Sequence, residues 1–168
     1  MKSKFIAIAI ALLMISLNSK AQQPDLIGTA TNDRKGTVLS IDFASTPSVY
    51  GLQYDIKLPA GFDAKRANLS SCLSGLSSSF DGSSCIALNN DTIRVIIFSL
   101  SSEPVSTGNI GSILISRNGD RKDRSAMIQG RIENRAGIVF ENVVIGGKAG
   151  VRIDPGLVDF SFASEYTQ

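Results

Sequence analysis

No histidine occurs in the 168 residues. This removes both the usual general base of serine and cysteine hydrolases and the commonest transition-metal ligand. A serine–lysine dyad is not offered, because no Ser-x-x-Lys spacing follows the N-terminal segment, and nothing has the form of a glycine-rich phosphate loop. A pair of carboxylates could still serve a glycosidase, which needs two acids flanking a cleft. Glu133 and Glu141 fall on or beside neighbouring apolar segments, but both stand where alternation turns side chains to solvent. A chain this short seldom builds both a β-sandwich and a deep cleft. The residues therefore describe a protein that is not an enzyme.

Cys72 and Cys85 are the only two cysteines. In an oxidising compartment an even count favours a disulfide, and closing a loop of about 14 residues stabilises a fold on the order of 3 kcal/mol. Two sulfurs without histidine do not make a zinc site. The oxygens of Asn118, Asp120 and Asp123, and of Asn89, Asn90 and Asp91, lack the spacing of a helix-loop-helix calcium site and are read as turn chemistry. No metal and no cofactor is expected. Asn68-Leu69-Ser70 and Asn90-Asp91-Thr92 match the glycosylation pattern, which matters only in a host that glycosylates.

The expectation of an oxidising compartment comes from the N-terminus. Lys2 and Lys4 precede an apolar stretch from Phe5 to Leu13 that continues through Met14, Ile15 and Leu17, followed by Asn18, Ser19, Lys20 and Ala21. That order is a cleavable signal peptide over residues 1–21, with the cut before Gln22. The apolar run of about 13 residues falls short of the roughly 20 that span a bilayer. The mature chain, residues 22–168, is expected to be a single exported domain, periplasmic, on the cell surface or secreted, with no membrane span. Lys2, Lys4 and Lys20 also account for three of the 17 basic residues, which leaves 14 against 15 acidic ones in the mature chain. A net charge near −1 does not suit a nucleic-acid partner. The local basic cluster Arg117, Arg121, Lys122 and Arg124 is interrupted by Asp120 and Asp123 and reads as a solvated loop.

The elements that must position these residues are strands. Leu39, Ile41 and Phe43 alternate with Ser40 and Asp42, and Leu52, Tyr54, Ile56 and Leu58 alternate with Gln53, Asp55 and Lys57. From Thr92 to Leu100, Ile93, Val95 and Ile97 share one face and Ile96 and Phe98 the other, which predicts a central strand covered on both sides. Further strands are expected over Ile110 to Ser116, Ser125 to Ile132, Ile138 to Ile145 and Leu157 to Phe162. Turn signals separate the runs at Asn32-Asp33, Pro59-Ala60-Gly61, Asp81-Gly82, Asn89-Asn90-Asp91, Asn118-Gly119-Asp120, Gly146-Gly147 and Asp154-Pro155-Gly156. Ala64 to Leu76 is the one stretch that suits a short helical turn, and the Ser-rich residues Ser70 to Ser84 read as a surface loop. The fold class is all-β: a single sandwich, jelly-roll-like, of about nine strands.

Four of these segments together, Gly36 to Phe43, Val49 to Leu58, Thr92 to Ser99 and Gly108 to Ile115, resemble the opening and middle strands of cohesin domains. The resemblance covers most of residues 26–145 and rests on spacing and residue class. The chain departs from the cohesin pattern in having Ile115 or Ser116 where an aromatic is usual, and in the cysteine pair between the second and third segments. The resemblance implies a nine-stranded jelly-roll sandwich, related in fold to carbohydrate-binding modules, that holds a protein partner on one sheet face, in a polysaccharide-degrading or cell-surface assembly. The polar face of the paired strands, Gln53, Asp55, Lys57 and Arg94, is where such a partner would be sought, because the apolar alternates turn inward. The alternative is a module that binds polysaccharide directly, which needs a flat aromatic platform. The chain has no Trp, and only Tyr50, Tyr54 and Tyr166, with core-like phenylalanines, could supply one.

Overall fold

The computed structural model describes residues 23–33, 36–60, 62–116 and 137–163. The signal segment, the strand expected over Ser125 to Ile132, the basic cluster, the Asn118 to Asp123 loop, Glu133 and Tyr166 lie outside the described residues. Within them run nine strands: β1 (Asp25–Asp33), β2 (Gly36–Ala44), β3 (Gly51–Lys57), β4 (Ser84–Ala87), β5 (Thr92–Phe98), β6 (Gly108–Ser116), β7 (Val139–Gly146), β8 (Arg152–Ile153) and β9 (Val158–Ala163). They form a four-stranded sheet in the order β6-β2-β1-β9 and a five-stranded sheet in the order β4-β5-β3-β7-β8. Strand β9 joins β1 in parallel, and the other pairs are antiparallel. No helix among the described residues is long and apolar enough to cross a membrane.

Period-two alternation produces this sandwich directly. Leu39, Ile41 and Phe43 of β2, Leu52, Tyr54 and Ile56 of β3, Ile93, Val95 and Ile97 of β5, and Ile110, Ile113 and Ile115 of β6 are all buried in one core between the sheets. At roughly 1.5–3 kcal/mol for each large apolar side chain removed from water, these residues supply most of the favourable free energy of folding.

The structure revises the sequence reading in three places. Strand β5 lies inside its sheet, between β4 and β3, but it is covered on one side only: Ile96 is half-buried and Phe98 is 39% exposed. The reason is geometric, since each sheet of a two-layer sandwich faces the core once. Strand β1 lacks a strong apolar signature because its inward positions are Leu26, Gly28 and Ala30. Small residues are needed there, as a Cβ at Gly28 would collide with the ring of Phe160, its partner on β9. The two-residue β8 and four-residue β4 are too short to show a period. The expected helical turn is a 3-10 turn at Ala64–Arg66, capped by the Asp63 carboxylate accepting from the Lys65 N–H, and further 3-10 turns occur at Ser78–Phe80 and Lys148–Gly150.

Candidate functional site

Strands β5, β3 and β7 bring Gln53, Asp55, Lys57 and Arg94 onto one surface, the solvent side of the five-stranded sheet. Antiparallel register sets Asp55 opposite Arg94, Gln53 opposite Ile96, and Lys57 opposite Thr92. On the other flank of β3, Gln53 faces Val144, Asp55 faces Glu141 and Lys57 faces Val139. Strand β4 adds Ile86 beside Arg94 and Ser84 beside Ile96. The surface is therefore built of cross-strand rows: Ile86, Arg94, Asp55 and Glu141 in one, and Ser84, Ile96, Gln53 and Val144 in the next.

Arg94, Asp55 and Lys57 find their partners within the chain. Arg94 grips Asp55 with both arms of its fork, Nε to Oδ1 at 2.7 Å and Nη2 to Oδ2 at 2.7 Å. The Asn142 amide donates to Oδ2 at 2.8 Å. Asn142 reaches that oxygen because β7 bulges there: its φ is 51°, in the left-handed region that Asn tolerates better than other side chains with a Cβ. Asp55, only 2% exposed, is held below the usual carboxylate range, chiefly by the bonds from Arg94, against the opposing effect of burial. Arg94 is raised in turn, chiefly by its bond to Asp55. At the next row, Lys57 Nζ lies 2.7 Å from Asp91 Oδ2, and the Thr92 hydroxyl donates to Asp91 Oδ1 at 2.7 Å. The bond from Lys57 is the largest of the effects that lower the Asp91 carboxyl.

The apolar residues on the same side have no such partners. Ile86, Phe98 and Val144 are exposed and Ile96 is half-buried, with Leu88 exposed at the end of β4 and Leu100, 76% exposed, just beyond β5. The ring of Phe98 lies over Gly82, where a Cβ would meet it at 2.8 Å. Sequence reasoning named Gln53, Asp55, Lys57 and Arg94 on this surface and assigned Ile96 and Phe98 to burial. The dense run of Ile96 and Phe98 carried the signal, because one of its two faces had to remain outside. Asn142 was also legible in principle: Phe140, Val143 and Ile145 are spaced three and then two residues apart, which is how a bulge interrupts alternation.

The other candidates behave differently. Tyr54 is on the core side of β3, edge-on to Phe140 with ring centroids 5.4 Å apart, and its buried hydroxyl has no hydrogen-bond partner among the described residues. Burial drives its phenol well above the usual range. Tyr50 is half-buried, so these two tyrosines do not form an exposed platform. Glu141 is exposed on β7. The Asn89 to Asp91 loop is the turn between β4 and β5, closed by the Asp91 N–H donating to Asn89 Oδ1 at 3.0 Å. No cluster of three or more acidic or cysteine side chains that could hold a metal occurs among the described residues. Cys72 and Cys85 are joined in a disulfide whose Cα atoms are 6.4 Å apart.

No protein-family model and no curated protein matches the chain. Among solved structures it is similar to a non-cellulosomal cohesin from the hyperthermophilic archaeon Archaeoglobus fulgidus, with a TM-score of 0.52 and 11% identity over 84% of this chain and 92% of that one. The second type II cohesin module from the cellulosomal adaptor scaffoldin ScaA of Acetivibrio cellulolyticus aligns at 0.53 and 12% identity, over 84% and 95%. The sixth cohesin of scaffoldin B from the same organism, solved in complex with a dockerin, aligns at 0.52 and 9% identity, over 86% and 100%. The fold is thus a cohesin-like β-sandwich.

Proposed function

We propose that this chain is an exported, non-catalytic binding module that holds a protein partner on the solvent side of strands β4, β5, β3 and β7. The observation that carries the reading is the combination on that surface: Ile86, Phe98 and Val144 are exposed and Ile96 half-buried, while Arg94 with Asp55 and Lys57 with Asp91 are already paired. Apolar side chains supply affinity when a partner excludes water from them, and aromatic ones often dominate it. Asp55, Arg94 and Asn142 act as a rigid floor, and Gln53 and Lys57 as polar contacts at its margin. The likeness to a module solved with a dockerin supports a protein partner, and the likeness to a cellulosomal module supports a place in a polysaccharide-degrading or cell-surface assembly.

The test is affinity capture from the secretome of the source cells on immobilised residues 22–168, beside retention on insoluble polysaccharides. A defined protein captured by the wild type and by Thr29→Lys, on the opposite sheet, but lost with Phe98→Asp, is the expected result. Binding to polysaccharide with no protein captured would sink the reading.

A further inference from the structure

Strand β6 is the last strand of the four-stranded sheet, yet its outer edge is covered. Residues 111, 113 and 115 face β2, so the backbone groups of Ile110, Ser112 and Leu114 point away from the sheet. Residues 68–75 meet them. The Asn68 N–H donates to Leu114 O at 2.7 Å, the Leu114 N–H to Asn68 O at 3.3 Å, the Ser112 N–H to Ser71 O at 2.8 Å, and the Gly75 N–H to Ile110 O at 2.8 Å. Glycine permits the approach from both sides, since a Cβ at Gly111 would collide with the Cys72 carbonyl and one at Gly75 with the Asn109 carbonyl.

Cys72 lies in the middle of this covering segment, and its disulfide ties the segment to Cys85 on β4, the edge strand of the opposite sheet. Beneath it, β6 reads Gly-Asn-Ile-Gly-Ser-Ile-Leu-Ile-Ser, with neither a charge nor a proline. A β-prone, uncharged strand with an open edge is a template for pairing with its own copy.

We propose that residues 68–75 form a strap latched by the Cys72–Cys85 bond, and that opening the latch exposes β6 to edge-to-edge antiparallel pairing with β6 of a second copy. A dithiol opens it by supplying two electrons and two protons. The Sγ–Sγ bond breaks, two cysteine thiols form, and the reagent is oxidised to its cyclic disulfide. The inference does not depend on what the five-stranded sheet binds.

The experiment compares residues 22–168 with and without dithiothreitol, following amide hydrogen exchange residue by residue and mass by sedimentation velocity across a concentration range. At the dilute end of that range, where the chain is monomeric, reduction is expected to speed exchange at Gly75, Ser112 and Leu114 by about tenfold or more, through local opening, while Ile113 and Ile115, which face β2, stay protected. Average mass should rise with concentration. Cys72→Ser with Cys85→Ser should do the same without reductant. Adding Ser112→Pro, which deletes one outward N–H and leaves the bonds to β2 intact, should restore the low mass. Unchanged protection at Ser112 and Leu114, faster exchange without a gain in mass, or a gain that survives Ser112→Pro would each overturn the proposal. Loss of protection at Ile113 and Ile115 as well would mean global unfolding, and would overturn it too.

Discussion

The two outer surfaces of the sandwich are built by the same alternation but carry different chemistry. Facing outward on the four-stranded sheet, Thr29 and Ser161 approach at 3.5 Å, and Asn109 donates to Ser40 Oγ at 2.8 Å and to Asp42 Oδ1 at 3.2 Å. The other sheet presents Ile86, Phe98, Val139 and Val144, with Leu88 and Leu100 at its strand ends, around a clamped Asp55–Arg94 pair. A surface that only needs to be wetted can be made of short hydroxyl and amide side chains that bond to their neighbours. Exposed isoleucine, phenylalanine and valine gathered on one sheet lose free energy in water unless something covers them. The difference teaches that the sheet with the notable ion pair is also the one with unmet apolar surface. Its ion pair is satisfied within the sheet, and its apolar side chains are not.

The sharpest way to break this comparison is to remove the support. Arg94→Ala leaves the nearly buried Asp55 carboxylate with Asn142 as its remaining side-chain partner among the described residues and should lower the urea midpoint more than any other substitution named below. A loss below about 1 kcal/mol would place the pair among ordinary surface contacts. The same pair sets a pH signature. Because folding lowers the Asp55 pKa, its contribution is fully present above the unfolded carboxylate value near 4 and is lost as pH falls through the lower folded value. Stability should therefore decline below about pH 4, and less steeply in Asp55→Asn. An identical acid limb in the variant would show that other carboxylates carry it.

On the apolar side, Phe98→Asp should weaken capture of the partner by about 2 kcal/mol or more, as for a central anchor, with little change in unfolding. Equal loss on both measures would assign Phe98 to stability instead. Between the two surfaces, Tyr54→Phe removes a desolvated hydroxyl that has no partner among the described residues and should raise stability by about 1 kcal/mol. Destabilisation would reveal a bonding partner for that oxygen. The smallest effects belong to the polar sheet, where Thr29→Ala and Ser161→Ala should each shift stability by less than about 0.5 kcal/mol and leave capture unchanged.

Much of the fold was legible because its signal is local. The segments at β2 and β3 alternate strongly enough that their inward residues could be named from spacing alone, and every one of those is buried. Strand β1 was hidden because Gly28 and Ala30 are small where Phe160 and Phe162 of β9 pair with them. That relation joins residues more than 130 positions apart, and no window along the chain contains it. Of the candidate surface, Gln53, Asp55, Lys57 and Arg94 were legible as the polar alternates of two strands. Ile96 and Phe98 were read as buried because hydrophobicity along a strand does not say which sheet face a second layer will cover.

By itself, then, the sequence determined period, polarity and chemical repertoire: an all-β chain without histidine, with two cysteines and with inward faces that could be named in advance. These follow from residue type and from the two-residue repeat of a strand, neither of which needs a long-range contact. Only the tertiary structure decided which apolar residues stay in the open, how the β7 bulge turns Asn142 onto Asp55, and how residues 68–75 come to seal β6. Each depends on where a distant segment returns after the chain has closed a long loop. Sheet pairing and the packing of the second layer settle that return together, through contacts that no local pattern records.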